Sequence, residues 1–408
     1  MTDRQRSGPV VVGVIGAGKI SEQYVANIRT FPDLDLRAVA DLIPERARQV
    51  ADEFGIESAT VDQVLADDEV ELIVNLTIPA AHVEVATAGL DAGKHVWNEK
   101  PLALDRESGR ELVDRADAAG LLVGCAPDTF LGPGWQTTRR MVDRGDIGRP
   151  LTASVVMQYP GPHTWHHNPE FLFQAGAGPL FDMGPYYLTA LTQLFGSLIS
   201  VAARGSSAGP TRTIEQGARA GEVFDVSVAT YVSVLYDFES GAIAAGTFSF
   251  DSPLVRAGVV EIAGTDATLA APDPNNFGGD IRVIKSGADD WHVVPVTGVE
   301  GGRGIGAVDM ARAIRRGEQH RASARLGLHV LDAMLAAADS IEHQEFVTID
   351  SRCSAVPLLP DGWDPTERTL RTSWPARRAV RSPERWPLRR WMPCGTGGIA
   401  PTAARTTS

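Results

Sequence analysis

The sequence predicts an α/β domain with a doubly wound parallel sheet, followed by an α+β domain with a large open antiparallel sheet. Three observations predict it. Short apolar runs alternate with helix-period segments over residues 1–130, the pattern of parallel strands joined by helical crossovers. From about residue 150, strand-like runs follow one another with few helices between them, which suits antiparallel pairing. At 408 residues the chain is longer than one ordinary core supports.

Taken in order, residues 9–16 are a short apolar run ending on glycine and read as a buried strand. A helix over 21–30 follows, then a strand over 34–41 and a helix over 44–55. Strands over 70–76, 95–98 and 121–125 alternate with helices over 80–93 and 106–119. A helix over 134–144 ends at a hinge, GDIGRP. Beyond it, 152–159, 199–207, 225–238, 242–250, 258–265, 280–287 and 291–296 read as strands, closed by helices over 308–317 and 327–343. The expected domains are 1–130 for nucleotide binding and 131–350 for substrate binding and self-association. Over 351–408 the period is lost, and a disordered basic tail is expected.

Composition narrows the function. The chain is 43% hydrophobic and 22% charged, with a net charge of −13. Nine Arg and two Glu lie beyond Pro365, so the rest carries about −20. An acidic body is a poor partner for nucleic acid or for an anionic membrane. No apolar run approaches the roughly 20 residues of a membrane helix. Cys125, Cys353 and Cys394 have no paired spacing, which argues against disulfides and zinc and suits the cytoplasm.

The motif GVIGAGKIS holds Gly16, Ala17, Gly18, Lys19 and Ile20 between the first strand and the first helix. Gly16 permits a tight turn, and Gly18 permits close approach of a pyrophosphate to the helix N-terminus. Ser21 stands where a third glycine is usual, and a small residue suffices there. Asp41 ends the second strand, where its carboxylate can take both ribose hydroxyls. It should repel the 2′-phosphate of NADP, and Leu42 offers that phosphate nothing, so NAD is the expected cofactor. Arg46 keeps NADP possible. Thr77, Ile78 and His82 follow the strand over 70–76 and are expected along the nicotinamide pocket.

Glu99, Lys100 and Pro101 follow the strand HVWN, at the sheet edge where ligands of such folds bind. The segment GPLFDMGPYYL then places Asp182 and Tyr186 one helical turn apart on a shared face. If the helix begins near Asp182, Pro185 falls in its first turn. Asp128, Trp165 and His166 lie in loops suited to a substrate mouth. Three histidines in GPHTWHHNPEFLFQ lack a familiar ligand spacing, so no metal is expected.

GVIGAGKIS, Asp41, AGKHVWNEKPLA and GPLFDMGPYYL occur in the order that resembles the Gfo/Idh/MocA oxidoreductases, over residues 9–350. The resemblance implies an N-terminal Rossmann domain and a C-terminal domain built on a large open antiparallel sheet. It also implies association as a homodimer or homotetramer through that sheet, and a sugar or polyol as substrate. Lys100 corresponds to the family's catalytic lysine. Asp182 and Tyr186 fall on its D-x-G-x-H block, with tyrosine for the usual histidine, as in the glucose–fructose oxidoreductase and dihydrodiol or xylose dehydrogenase branches.

The expected activity is alcohol–carbonyl interconversion on a sugar, polyol or inositol by direct hydride transfer to NAD or NADP. A tyrosine ionises near pH 10 when free, and a neighbouring ammonium such as Lys100 lowers that. Lys100 itself is the other candidate proton carrier. The competing classes are a redox-neutral NAD-dependent sugar hydrolase or epimerase and an inactive nucleotide-dependent regulator.

Overall fold

The computed structural model describes residues 7–371. The first sheet has six strands: β1 (Val10–Ile15), β2 (Leu34–Ala40), β3 (Glu57–Ala59), β4 (Leu72–Asn75), β5 (His95–Asn98) and β6 (Val123–Cys125). They are parallel, in the order β3-β2-β1-β4-β5-β6. Helices α1 (Lys19–Ile28), α2 (Pro44–Phe54), α3 (Val61–Ala66), α4 (His82–Asp91) and α5 (Arg106–Ala119) connect them.

Alternation along each strand explains why both sheet faces are covered. Leu72 and Val74 of β4 pack with Tyr24, Val25 and Ile28 of α1. Ile73 between them packs with Ala86, Leu90, Leu112 and Val113 of α4 and α5. The direction of winding reverses at β1, since β2 lies on one side and β4 on the other. The carboxyl end of β1 is therefore the crevice where such sheets bind ligands. Strand β3 and helix α3 went unread in the sequence, both being short. A Thr60–Gln63 capping box starts α3.

After α6 (Pro133–Arg144) comes β7 (Pro150–Gln158), then α7 (Pro179–Phe195) and β8 (Leu198–Ser206). The hairpin β9 (Thr211–Thr213) and β10 (Val223–Asp225) precedes β11 (Tyr231–Phe238) and β12 (Ile243–Ser249). Next are β13 (Arg256–Gly264), β14 (Ala267–Ala271), β15 (Ile281–Lys285) and β16 (His292–Val294), then α8 (Ile305–Arg316), α9 (Ala324–His343) and β17 (Val347–Thr348). The second sheet has nine strands in the order β16-β15-β14-β13-β7-β12-β11-β8-β17. It is mixed rather than wholly antiparallel, because β12 pairs with β7 in parallel. Val232, Val234, Tyr236 and Phe238 of β11 are buried, and the residues between them face outward.

Two readings of the sequence are corrected. The run 225–238 is not one strand: β10 ends at Asp225 and β11 begins at Tyr231, with 226–230 between them, where the Thr230 hydroxyl bonds Asp251 and Ser207. Residues 351–371, read as the start of a disordered tail, are packed. Leu359 and Leu370 are buried, and Trp363 lies 5.0 Å from the Arg312 guanidinium. The Thr369 and Leu370 amides donate to the buried carboxylate of Asp33, which also pairs with Arg312 at 2.8 Å. The remainder of that expected tail lies outside the described residues. Among those described, no helix is long and apolar enough to cross a membrane.

Candidate active site

The glycine loop follows from backbone needs. Gly16 has φ +106°, and a Cβ there would lie 2.5 Å from the Leu76 carbonyl carbon. Gly18 caps α1 with no side-chain hydrogen bond, and a Cβ on it would meet nothing within 4 Å. No protein atom therefore covers the N-terminal end of α1 at Gly18, the position at which such helices take anionic groups. Ser21 is buried and its hydroxyl donates to the Gly18 carbonyl.

Asp41 closes one side of the loop, accepting from the Ala17 amide at 2.7 Å and the Ile43 amide at 2.8 Å. Leu42 is 89% exposed and Ile78 70% exposed, in the loops that follow β2 and β4, the two strands flanking β1. Such exposed apolar side chains beside an open helix N-terminus fit a dinucleotide, whose flat base needs apolar walls and whose pyrophosphate needs amides. Lys19 reaches toward the second domain and lies 5.5 Å from the Trp165 ring.

The catalytic candidates converge at the ends of β4 and β5. Two buried asparagines tie these ends together, Asn75 Nδ2 donating to Asn98 Oδ1. Asn98 donates in turn to the Leu102 carbonyl, so the turn carrying Lys100 is fixed from beneath. Glu99 is buried and accepts from Tyr24 Oη at 2.8 Å and from the Lys100 amide at 2.9 Å. Tyr24 belongs to α1, which links the glycine loop mechanically to the lysine turn.

Lys100 Nζ donates to both Oδ1 and the backbone oxygen of Asp182, each at 2.8 Å. Burial alone would push this ammonium down, but Asp182, Tyr186 and Glu99 together outweigh it, and the group is held above its ordinary range. The contact with Asp182 favours the charged form of Lys100. Tyr186 is buried, with Lys100 Nζ 5.5 Å from its ring centroid. Burial raises this phenol above its usual value, although Lys100 and Arg303 pull it down. The lowering expected from Lys100 alone does not win.

Helix α7 begins at Pro179, three residues before Asp182, so Pro185 is interior and not in the first turn. It has no amide for the carbonyl four residues back. The next carbonyl along, that of Asp182, accepts the Lys100 ammonium. The spacing that puts Asp182 and Tyr186 on one face is unaffected.

Two expected site residues are spent elsewhere. His82 is buried, its ring nitrogens facing the carbonyls of Pro101 at 2.6 Å and Thr77 at 3.0 Å. Burial keeps it below its ordinary value, so it clamps the two loops instead of lining the pocket. Asp128 is fully buried, and its Oδ2 accepts the amides of Gly304 and Gly306. Burial pushes this carboxyl up to about 6. Its Oδ2 holds a loop of the second domain, while its buried Oδ1 has no hydrogen-bond partner among the described residues.

Trp165 is half-exposed over Lys19, and His166 stands edge-on between Trp165 and Phe171. Sequence reasoning missed Tyr24, Tyr159 and Arg303. Tyr159 follows β7, close enough to Asp182 to feel its charge. Arg303 lies 5.5 Å from the Tyr186 ring.

Residues 10–126 match the family described as "Oxidoreductase family, NAD-binding Rossmann fold", and residues 135–270 match its C-terminal domain. The chain belongs to the Gfo/Idh/MocA oxidoreductase family. It is 26% identical over 266 residues to an uncharacterised oxidoreductase of Bacillus subtilis, covering 64% of this chain and 73% of that protein. It is 32% identical over 147 residues to an inositol 2-dehydrogenase/D-chiro-inositol 3-dehydrogenase of Lactiplantibacillus plantarum, covering 34% of this chain and 41% of that one. The match spans 41% to 55% of other curated relatives, about half their length. Levoglucosan dehydrogenase in complex with NADH and levoglucosan shares the fold, with TM-score 0.74 and 22% identity over 84% of this chain and all of that one.

Proposed function

We propose that the protein interconverts an alcohol and a carbonyl on a sugar, polyol or inositol, by direct hydride transfer to or from NAD. The relatives named as inositol dehydrogenases support the substrate class. One observation carries the reaction: a fixed ammonium, Lys100, stands between Asp182 and the ring of Tyr186 at the sheet edge beside the glycine loop.

In this reading Gly16, Ala17, Gly18, Lys19 and Ile20 hold the pyrophosphate, and Asp41 holds the adenosine ribose in preference to a 2′-phosphate. Leu42, Thr77 and Ile78 border the same crevice. The bound nicotinamide supplies the hydride acceptor or donor. Tyr186 carries the proton to or from the substrate oxygen, Lys100 donates a hydrogen bond to that oxygen, and Asp182 fixes Lys100. Glu99 and Pro101 shape the turn without touching substrate. Trp165 and His166 form the outer wall. Being raised, Tyr186 is protonated at neutral pH, so it can serve as the proton donor there and becomes a base only as pH climbs.

Leu235 and Ile243 are exposed on the open face of the nine-stranded sheet, which supports pairing of two or four copies there. The functional reading is tested by incubating the protein with NAD and a set of sugars and inositols. One NADH per substrate consumed supports it. Substrate consumed with no NADH formed indicates a redox-neutral enzyme, and binding without turnover a regulator.

A further inference from the structure

The loop Gly301–Gly302–Arg303–Gly304 precedes α8 and belongs to the second domain, yet first-domain residues hold it. Asn27 of α1 donates to the Arg303 carbonyl at 2.9 Å. Asp128 accepts the Gly304 amide at 2.8 Å and the Gly306 amide at 3.0 Å. Gly302 at φ +96° and Gly304 at φ +103° flank the arginine in the left-handed region, where a side chain is strained. The backbone on both sides is therefore fixed.

The Arg303 guanidinium makes one hydrogen bond among the described residues, from Nη2 to Asn275 Oδ1 at 2.9 Å. Its Cζ lies 5.5 Å from the Tyr186 ring centroid, the same distance as Lys100 Nζ. Two cations, one from each domain, thus flank the Tyr186 ring. The charged groups facing Tyr186 are Lys100 and Glu99 from the turn after β5, Asp182 from its own helix and Arg303 from this loop.

We propose that Arg303 is a positioning residue for proton transfer: a fixed second cation that, with Lys100, stabilises the anionic form of Tyr186. The charge balance gives the reason. Lys100 is already neutralised by Asp182 at 2.8 Å, and Glu99 adds a further negative charge. Without Arg303 the two carboxylates would face the phenol with one cation between them. A guanidinium remains charged throughout the working pH range, so it supplies this field without titrating. The proposal rests on reading Tyr186 as the proton carrier.

The test is fluorine NMR of protein labelled with 3-fluorotyrosine, whose phenol ionises at lower pH than tyrosine. The Tyr186 signal is assigned by its loss in Tyr186→Phe. Its titration midpoint is expected to rise by about one pH unit or more in Arg303→Met, and by less than half as much in Arg303→Lys. Asn275→Ala, which keeps the charge but frees it, is expected to give an intermediate rise and covers the case in which Arg303→Met fails to fold. An unmoved midpoint in Arg303→Met, or in Asn275→Ala should that variant alone fold, overturns the proposal. So does equal displacement in Arg303→Met and Arg303→Lys, which points to packing rather than charge. The titration needs neither NAD nor a sugar, so it can fail while the dehydrogenase reading stands, and the reverse.

Discussion

Lys100 and Asp182 meet across the two domains in a paired contact, Nζ donating at 2.8 Å to both the carboxylate and the backbone oxygen of the same residue. One partner sits on a strand end and the other in the first turns of α7. Neither can shift without moving a regular element, so the ammonium is held in place, as the proposed reaction requires. Replacing Lys100 with Met is expected to lower kcat by about 10²- to 10⁴-fold while changing the Kd for NAD far less. Steady-state kinetics beside a fluorescence titration of NAD separates the two.

The pH dependence of the two directions should differ. Tyr186 is raised, chiefly by burial, so the phenol predominates at neutral pH. Alcohol oxidation needs the phenolate, and its kcat/KM is expected to climb about tenfold per pH unit through the neutral range. Carbonyl reduction uses the phenol and should stay flat there, falling only in alkali. Tyr186→Phe is expected to abolish the climb, which paired pH profiles of the wild type and variant would reveal.

The two glycines of the loop should fail differently. A side chain at Gly18 meets open space, so Gly18→Val is expected to leave the Tm of the free protein within about a degree. It fills the phosphate cradle, and NAD affinity should fall at least about tenfold, roughly 1.4 kcal/mol. Gly16→Ala instead forces a Cβ to 2.6 Å from the Leu76 oxygen at φ +106° and should lower the Tm itself. Thermal melts with and without NAD distinguish the cases.

Asp33 and Arg312 form a buried pair that also receives residues 364–370. Removing one partner strands the other, so Arg312→Met is expected to cost about 3–5 kcal/mol of stability. Burial alone would raise the Asp33 carboxyl, but the Leu370 amide, Thr369 and Arg312 hold it below the usual range. A depressed carboxyl stabilises the fold above its unfolded pKa of about 3.9, and that stability is lost as pH falls through the lowered folded value. The gap between wild type and Arg312→Met should therefore narrow in acid. A chain ending at residue 365 should melt earlier too, since it lacks Thr369 and Leu370; urea unfolding at several pH values reads both.

How far the site was legible follows from where its signals lie. Gly16, Gly18 and Asp41 carry local backbone and strand-end patterns, so sequence spacing reveals them. Asp182 and Tyr186 are legible because one helical turn sets their relation. Tyr24 and Arg303 were not, since they reach the lysine turn only through the fold: Tyr24 lies 75 residues from Glu99 in sequence. His82 and Asp128 have residue types suited to a site, but both are buried and bonded to backbone, His82 through both ring nitrogens and Asp128 through Oδ2, and a sequence does not show burial.

The strap over residues 351–371 was misread for a related reason. It is held largely through its backbone, with Arg140 donating to the Leu359 carbonyl, Arg321 to those of Pro357 and Leu358, and Gln136 accepting the Leu359 amide. Such a segment needs no side-chain period, so nothing in its pattern marks it as ordered. Strand β7 misled more mildly: its composition suits a strand, but nothing local says that β12 will run parallel to it.

The most direct measurement is NADH formation from NAD with sugars and inositols, run in parallel on the wild type, Lys100→Met and Tyr186→Phe at equal cofactor saturation. The account predicts NADH from at least one substrate with the wild type, and a loss of about 10²-fold or more in each variant with NAD still bound. Equal NADH formation in all three proteins would contradict it, because the Lys100–Asp182–Tyr186 cluster would then have no part in the reaction.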